Sequence, residues 1–172
     1  MASDRIIQKA YYVSDLDAAI ARFHQLWGLG PFFVRRHIAL DNVVYRGEPS
    51  ELDISAAYTQ SGDIMIELVT QHNDAHSTFR DRYQPTESGF HHVALAFGDH
   101  DQQVKRFNEL GYASVTSFKT AEGRGATYLD TVAAIGHATE IYLVNNSLRE
   151  LYATVRDASN SWDKKSLKVE IA

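Results

Sequence analysis

Gln8-Lys9-Ala10-Tyr11-Tyr12-Val13-Ser14-Asp15-Leu16-Asp17 returns 84 residues later as His92-Val93-Ala94-Leu95-Ala96-Phe97-Gly98-Asp99-His100-Asp101. Ala10/Ala94, Asp15/Asp99 and Asp17/Asp101 are identical, and the match runs on through Arg22/Arg106, Phe23/Phe107 and Leu26/Leu110. A second pair follows in the same order: Gly62-Asp63-Ile64-Met65-Ile66-Glu67-Leu68 resembles Gly136-His137-Ala138-Thr139-Glu140-Ile141. That pairing is offset by 73, so the later copy is the shorter one. Two matches in order point to one duplicated module, at 5–71 and 89–145, joined by a polar connector at 72–88.

Each copy opens on a strand, Ile6–Val13 and Phe90–Phe97, and a helix follows. In the first helix Leu16, Ala19, Ile20, Phe23 and Trp27 recur at helical spacing. Ser14, with Asp17 three positions on, reads as its N-cap. The second helix lies near Asp99–Leu110, on Val104, Phe107 and Leu110. Gly28-Leu29-Gly30-Pro31 and Gly111 stop the two helices. Further strands are expected at Phe32–Leu40, Ile54–Gln60 and Ile64–Thr70, then at Tyr112–Lys119, Ala126–Thr131 and Ala138–Val144. The order is βαβββ, twice. A short helix is expected at Ala75–Tyr83, and Ser147-Leu148-Arg149-Glu150 starts a terminal helix running to about Asp157. The tail, Ser159–Ala172, reads as loosely attached.

With 172 residues, 44% hydrophobic, the chain can bury a real core, which excludes disorder. Seventeen basic against 22 acidic residues leave −5, so no basic nucleic-acid footprint is expected. No apolar run reaches the roughly 20 residues of a membrane span. Asp4, Arg5 and Lys9 stand where a signal peptide would be apolar, so a cytoplasmic location is expected. The absence of cysteine excludes disulfides, thiolate zinc sites and cysteine nucleophiles.

Gln8, Glu67, His92 and Glu140 interrupt strand runs, and the repeat pairs Gln8 with His92 and Glu67 with Glu140. A single strand Glu ordinarily faces solvent, and a lone His is ordinarily a satisfied core or surface residue. Matched positions in both copies change the weighing. A buried carboxylate costs several kcal/mol unless paired or bound to metal. Two carboxylates, an imidazole and an amide form a ligand set for one divalent cation, suited to Zn, Ni, Co, Mn or Fe(II).

Ala10–Ile20, Gly89-Phe90-His91-His92-Val93-Ala94 and Gly136–Ile141 make the chain resemble the vicinal oxygen chelate superfamily, which includes glyoxalase I, methylmalonyl-CoA epimerase, extradiol dioxygenases and bleomycin-resistance proteins. The resemblance implies an α+β fold: two tandem βαβββ modules forming a curved eight-stranded mixed sheet around a metal-binding cavity, plus a C-terminal helix in 146–172. By position it carries the family's metal ligands onto Gln8, Glu67, His92 and Glu140. That set is similar to glyoxalase I and unlike the epimerases, which have His first and Gln second. It implies a glyoxalase-like isomerase, epimerase or lyase that chelates a small carbonyl substrate through vicinal oxygens and moves a proton through an enediolate. Glu140 would be the base, with Glu67 as ligand or second base, and the protein a homodimer. A non-catalytic small-molecule binder remains the alternative, and a ring-cleaving dioxygenase a lesser one.

Weaker signals complete the reading. His91 should face opposite to His92. His137 is a minor candidate for the site. His72 and His76 have the i,i+4 spacing of a helical zinc clip, although a solvated surface explains them as well. Glu122-Gly123-Arg124-Gly125 reads as a tight turn or lid whose Arg124 could meet an anion. Of Arg35 and Arg36 only one can face a cavity. Tyr12, Phe33, Tyr58, Tyr128 and Tyr142 are expected along the pocket or in the core.

Overall fold

The computed structural model describes residues 5–96 and 99–171. In chain order the first half is β1 (Arg5–Tyr12), α1 (Leu16–Trp27), β2 (Phe32–Arg35), β3 (Leu40–Tyr45), β4 (Glu48–Pro49), β5 (Ile54–Ser61) and β6 (Ile64–Gln71). The second half is β7 (Gly89–Ala96), α2 (His100–Glu109), β8 (Ser114–Thr120), β9 (Gly125–Leu129), α3 (Val132–Ile135) and β10 (Ala138–Leu143). Helix α4 (Asn146–Asn160) and strand β11 (Lys168–Glu170) close the chain. Phe97, placed in the seventh strand by its apolar pattern, lies outside the described residues, as do Met1–Asp4.

The repeat is repeated structure. Asp15 and Asp99 are the N-caps of α1 and α2, their carboxylates accepting from the backbone N–H of Ala18 at 2.9 Å and of Gln102 at 3.0 Å. The expected cap, Ser14, sits one residue early, where its own N–H donates to the Ser88 hydroxyl at 3.0 Å. Gly28, with φ +70°, ends α1 in the left-handed conformation that glycine adopts without a Cβ penalty.

The strands form one sheet in the order β11-β2-β5-β6-β1-β7-β10-β9-β8-β3-β4. Its centre is a seam where β1 and β7, equivalent in the two modules, run antiparallel. On either side β6 runs parallel to β1, and β10 parallel to β7. The eight expected strands are all there, and three more extend the count to eleven among the described residues. Phe32–Leu40 is not one strand: β2 ends at Arg35, and β3 begins at Leu40 against β8 of the other module. Four residues lie between them, so Arg35 and Leu40 can be at most about 18 Å apart, and the sheet curves far enough to bring its two flanks together. The tail is not loose. β11 pairs in parallel with β2, and the Trp162 ring packs against Gly30. No helix forms at Ala75–Tyr83, only a helical turn with Asp81 N–H on the Ser77 carbonyl and Tyr83 N–H on that of Phe79. α4 is capped by Asn145, two residues before the expected Ser147, and runs three residues past Asp157.

Strands covered on both faces explain the continuous apolar runs. One face of β2, β5 and β6 packs Phe32, Val34, Ala57 and Leu68 on Leu16 and Ile20 of α1. The other turns Phe33, Tyr58, Met65 and Val69 inward with Phe79, Tyr128 and Val155. Each buried Val, Leu, Ile, Phe or Met among them contributes about 1.5–3 kcal/mol, enough in sum to hold polar groups in the interior.

The seam carries two irregularities. Ile6 pairs with Leu95 and Gln8 with Ala94, so Ile7 is extra; Ala10 pairs with His92 and Tyr11 with Phe90, so His91 is extra. Ile7 and His91 are 84 apart, so the bulge is itself duplicated. Each places an additional residue immediately before a candidate ligand and breaks the strand's alternation there.

Candidate metal centre

Gln8, Glu67, His92 and Glu140 lie on β1, β6, β7 and β10, the four adjacent strands at the middle of the sheet. Their exposures are 0%, 6%, 0% and 2%, so none faces solvent. The ladder repeats its symmetry. Ala10 lies directly across from both Glu67 and His92, and Ala94 from both Gln8 and Glu140. Paired residues share a sheet face, so these two small side chains leave room beside the polar ones.

Glu67, His92 and Glu140 each offer an atom within 4.8 Å of the others. His92 Nε2 is 3.1 Å from Glu140 Oε2 and 3.4 Å from Glu67 Oε2. Despite that approach, all three atoms are buried without a hydrogen-bond partner. Native interiors rarely leave polar atoms so, and three converging ones fit a cation that binds by lone pairs. Gln8 is buried on the next strand. Its amide oxygen accepts from the Tyr142 hydroxyl at 2.7 Å and its amide nitrogen lies 3.8 Å from Met65 Sδ.

The bulge decides which nitrogen of His92 faces the carboxylates. His91 is fully buried rather than outward, and its Nε2 donates to the Thr78 carbonyl at 3.0 Å. Burial, and then the neighbouring His92, hold His91 well below the ordinary imidazole pKa, so it is neutral and its Nδ1 is a bare acceptor. That nitrogen is 2.8 Å from His92 Nδ1, which must therefore carry the proton. His92 Nε2 is left to the carboxylates, with either a proton or a cation between them. Burial pulls His92 down, but Glu140 and Glu67 outweigh it and lift the metal-free ring to about 9. Glu67 is itself raised, by burial first and by Glu140, against the opposing pull of His92.

Glu67 and Glu140 line a cavity with about 550 Å³ of atom-free space, its open mouth included. Tyr58 and Tyr128, each directly across a strand pair from Glu67 and Glu140, line it with Tyr142. Burial, above all, raises the pKa of all three phenols and keeps them protonated. Tyr12 and Phe33 belong to the core beneath. Leu148, Leu151 and Tyr152 of α4 form a wall that the sequence had not tied to the site, although their i, i+3, i+4 spacing marks an inward face. Arg35, Thr120 and Arg124 line the cavity and all bind Glu122, whose side chain is 42% exposed and marks this end as the mouth, while Arg36 turns away to Asp17 and Glu170.

The remaining candidates lie elsewhere. His137 packs on Phe90 at 5.3 Å and bonds its own chain at the Ala138 carbonyl. His76 stacks on Tyr45 and forms no clip with His72. His72 instead stacks on His37 at 4.3 Å, and with Asp53 they make a second, exposed group of potential donors.

Comparison with known proteins came to the same family. The description Glyoxalase/Bleomycin resistance protein/Dioxygenase superfamily matches residues 7–128. A hypothetical protein from Bacillus halodurans superposes with a TM-score of 0.57 at 16% identity, over 82% of this chain and 94% of that one. Methylmalonyl-CoA epimerase from Mycobacterium tuberculosis gives 0.53 at 16% identity, over 87% and 96%. A Streptomyces coelicolor methylmalonyl-CoA epimerase variant in complex with 2-nitronate-propionyl-CoA gives 0.52 at 17%, over 82% and 94%. No curated protein matches in sequence. Among the described residues, no helix is long and apolar enough to cross a membrane.

Proposed function

The chain belongs to the glyoxalase/bleomycin resistance protein/dioxygenase superfamily, and from that premise we propose that it is a divalent-metal-dependent, glyoxalase-like isomerase, epimerase or lyase acting on a small carbonyl compound. The observation that carries the reading is the trio of buried, unpartnered atoms, Glu67 Oε2, His92 Nε2 and Glu140 Oε2. With Gln8 they would hold the ion, Zn, Ni, Co, Mn or Fe(II). When bound, the ion polarises a carbonyl chelated through vicinal oxygens and makes the neighbouring C–H more acidic.

The chain's own residues do the rest. Glu140 takes the proton from the substrate carbon and returns it, giving an enediolate between the two transfers, while Glu67 is ligand or second base. Tyr128 and Tyr58, neutral and opposite the two carboxylates, donate hydrogen bonds where oxygen gains charge. Leu148, Leu151 and Tyr152 keep bulk water from that carbon. A cytoplasmic homodimer completes the proposal.

Metal analysis tests it. Protein purified without chelators should carry a stoichiometric divalent ion that Glu140→Ala loses. Metal-loaded protein should then exchange a C–H of a bound dicarbonyl with solvent deuterium, and Glu140→Gln should not. Metal binding without exchange across a broad panel would favour a non-catalytic binder, and no metal would end the reading.

A further inference from the structure

Arg35, at the end of β2, has 8% of its side chain exposed, and Arg124, just before β9, has 12%. Both line the same cavity as Glu67 and Glu140. Their one acidic partner among the described residues is Glu122, whose Oε1 lies 3.3 Å from Arg35 Nη2 and whose Oε2 lies 3.0 Å from Arg124 Nη2. Each guanidinium is engaged at one Nη only, and the Nε of each is buried with no partner. Two positive charges against one negative leave the mouth one charge positive. The inner end, two carboxylates around a divalent ion, would be neutral. A buried guanidinium edge with an unused Nε–H fits a carboxylate, which it grips by two parallel bonds.

We propose that the mouth of the cavity is a carboxylate subsite, Arg35 and Arg124 binding an acid group at the far end of a substrate whose vicinal oxygens lie at the inner site. This rests on the proposed chelation, and it narrows the substrate class to carbonyl compounds that also carry a carboxylate. Glu122 joins the two cations across the flanks of the sheet, and its removal frees a further Nη on each.

The probes are two hydroxamates, which chelate metals through adjacent oxygens: acetohydroxamate, and succinic monohydroxamate with its additional carboxylate. On cobalt-loaded protein, calorimetry should find the second tighter by about tenfold or more. Arg124→Met and Arg35→Met should each remove most of that advantage while metal content and acetohydroxamate affinity stay unchanged. Glu122→Gln should increase it. Equal affinities in the unaltered protein, or an advantage that survives both arginine substitutions, would overturn the subsite. If Arg35→Met does not fold, Arg124→Met, on an open turn, decides. If acetohydroxamate fails to bind at all, it is the chelation that fails. The subsite is then read from succinate titrated into metal-free protein and its Arg124→Met variant, and no difference between the two overturns it.

Discussion

His91 Nδ1 and His92 Nδ1 face each other at 2.8 Å, two imidazoles adjacent in sequence and on one side of a strand that should have parted them. Only the bulge allows it, and through this contact the Thr78 carbonyl determines which nitrogen His92 turns toward Glu67 and Glu140. Such outer partners typically change metal affinity by about 10–100-fold. His91→Phe should weaken metal binding in that range, measured by competition with a chelator. The Thr78 carbonyl, left bare, should cost the metal-free fold about 1–3 kcal/mol. Unchanged metal affinity would contradict the relay.

Metal uptake should release protons. With metal-free His92 raised to about 9, loading at neutral pH must expel a proton, and loading above that range must not. Calorimetry in buffers of different ionisation enthalpy reads this directly; a proton count that does not change with pH would disprove it.

The same shift governs the stability of the metal-free protein. A raised histidine stabilises fully below its ordinary 6.5 and loses that contribution as pH climbs through about 9. Glu67, also raised, acts in the same direction. Metal-free protein should therefore melt at lower temperature at pH 9 than at pH 6.5, and metal-loaded protein should show much less of that fall.

Ala94 stands opposite Gln8 and Glu140 and is fully buried. Ala94→Leu should fill the space between them and abolish metal binding. Overpacking should destabilise the fold by about 1–3 kcal/mol. Metal analysis with circular dichroism separates loss of the site from loss of the fold, and a variant that keeps its ion would disprove the packing argument.

Asn145 does two jobs with one amide. Its oxygen caps α4 by accepting from Leu148 N–H at 2.9 Å, and its nitrogen donates to the Glu122 carbonyl at 3.3 Å. Asn145→Ala should cost about 1 kcal/mol through the lost cap. It should also speed amide exchange in the 121–124 turn; unchanged exchange there would show that the tie is idle.

The duplication, the two principal helices, the eight main strands and the four polar strand residues were all legible in the sequence. They are local patterns or internal matches, and each survives without knowledge of the partner it packs against. β3, β4 and β11 were not legible. Asp41, Asn42 and Glu48 are exposed, β4 is only two residues long, β11 is three exposed residues, and the strands that β3 and β11 join, β8 and β2, lie far away in sequence. His91 was misplaced because alternation presumes a regular ladder, and nothing local announces an extra residue. Leu148, Leu151 and Tyr152 have the spacing of a helix face, but only the tertiary structure could say that this face covers the cavity.

The connector joins the two modules, while the acids of the site come one from each side of the seam. Neither fragment would own a complete chelate. A chain nicked in the connector should therefore stay assembled through the β1–β7, β3–β8 and β11–β2 ladders, yet lose its grip on the ion once denaturant parts the two pieces.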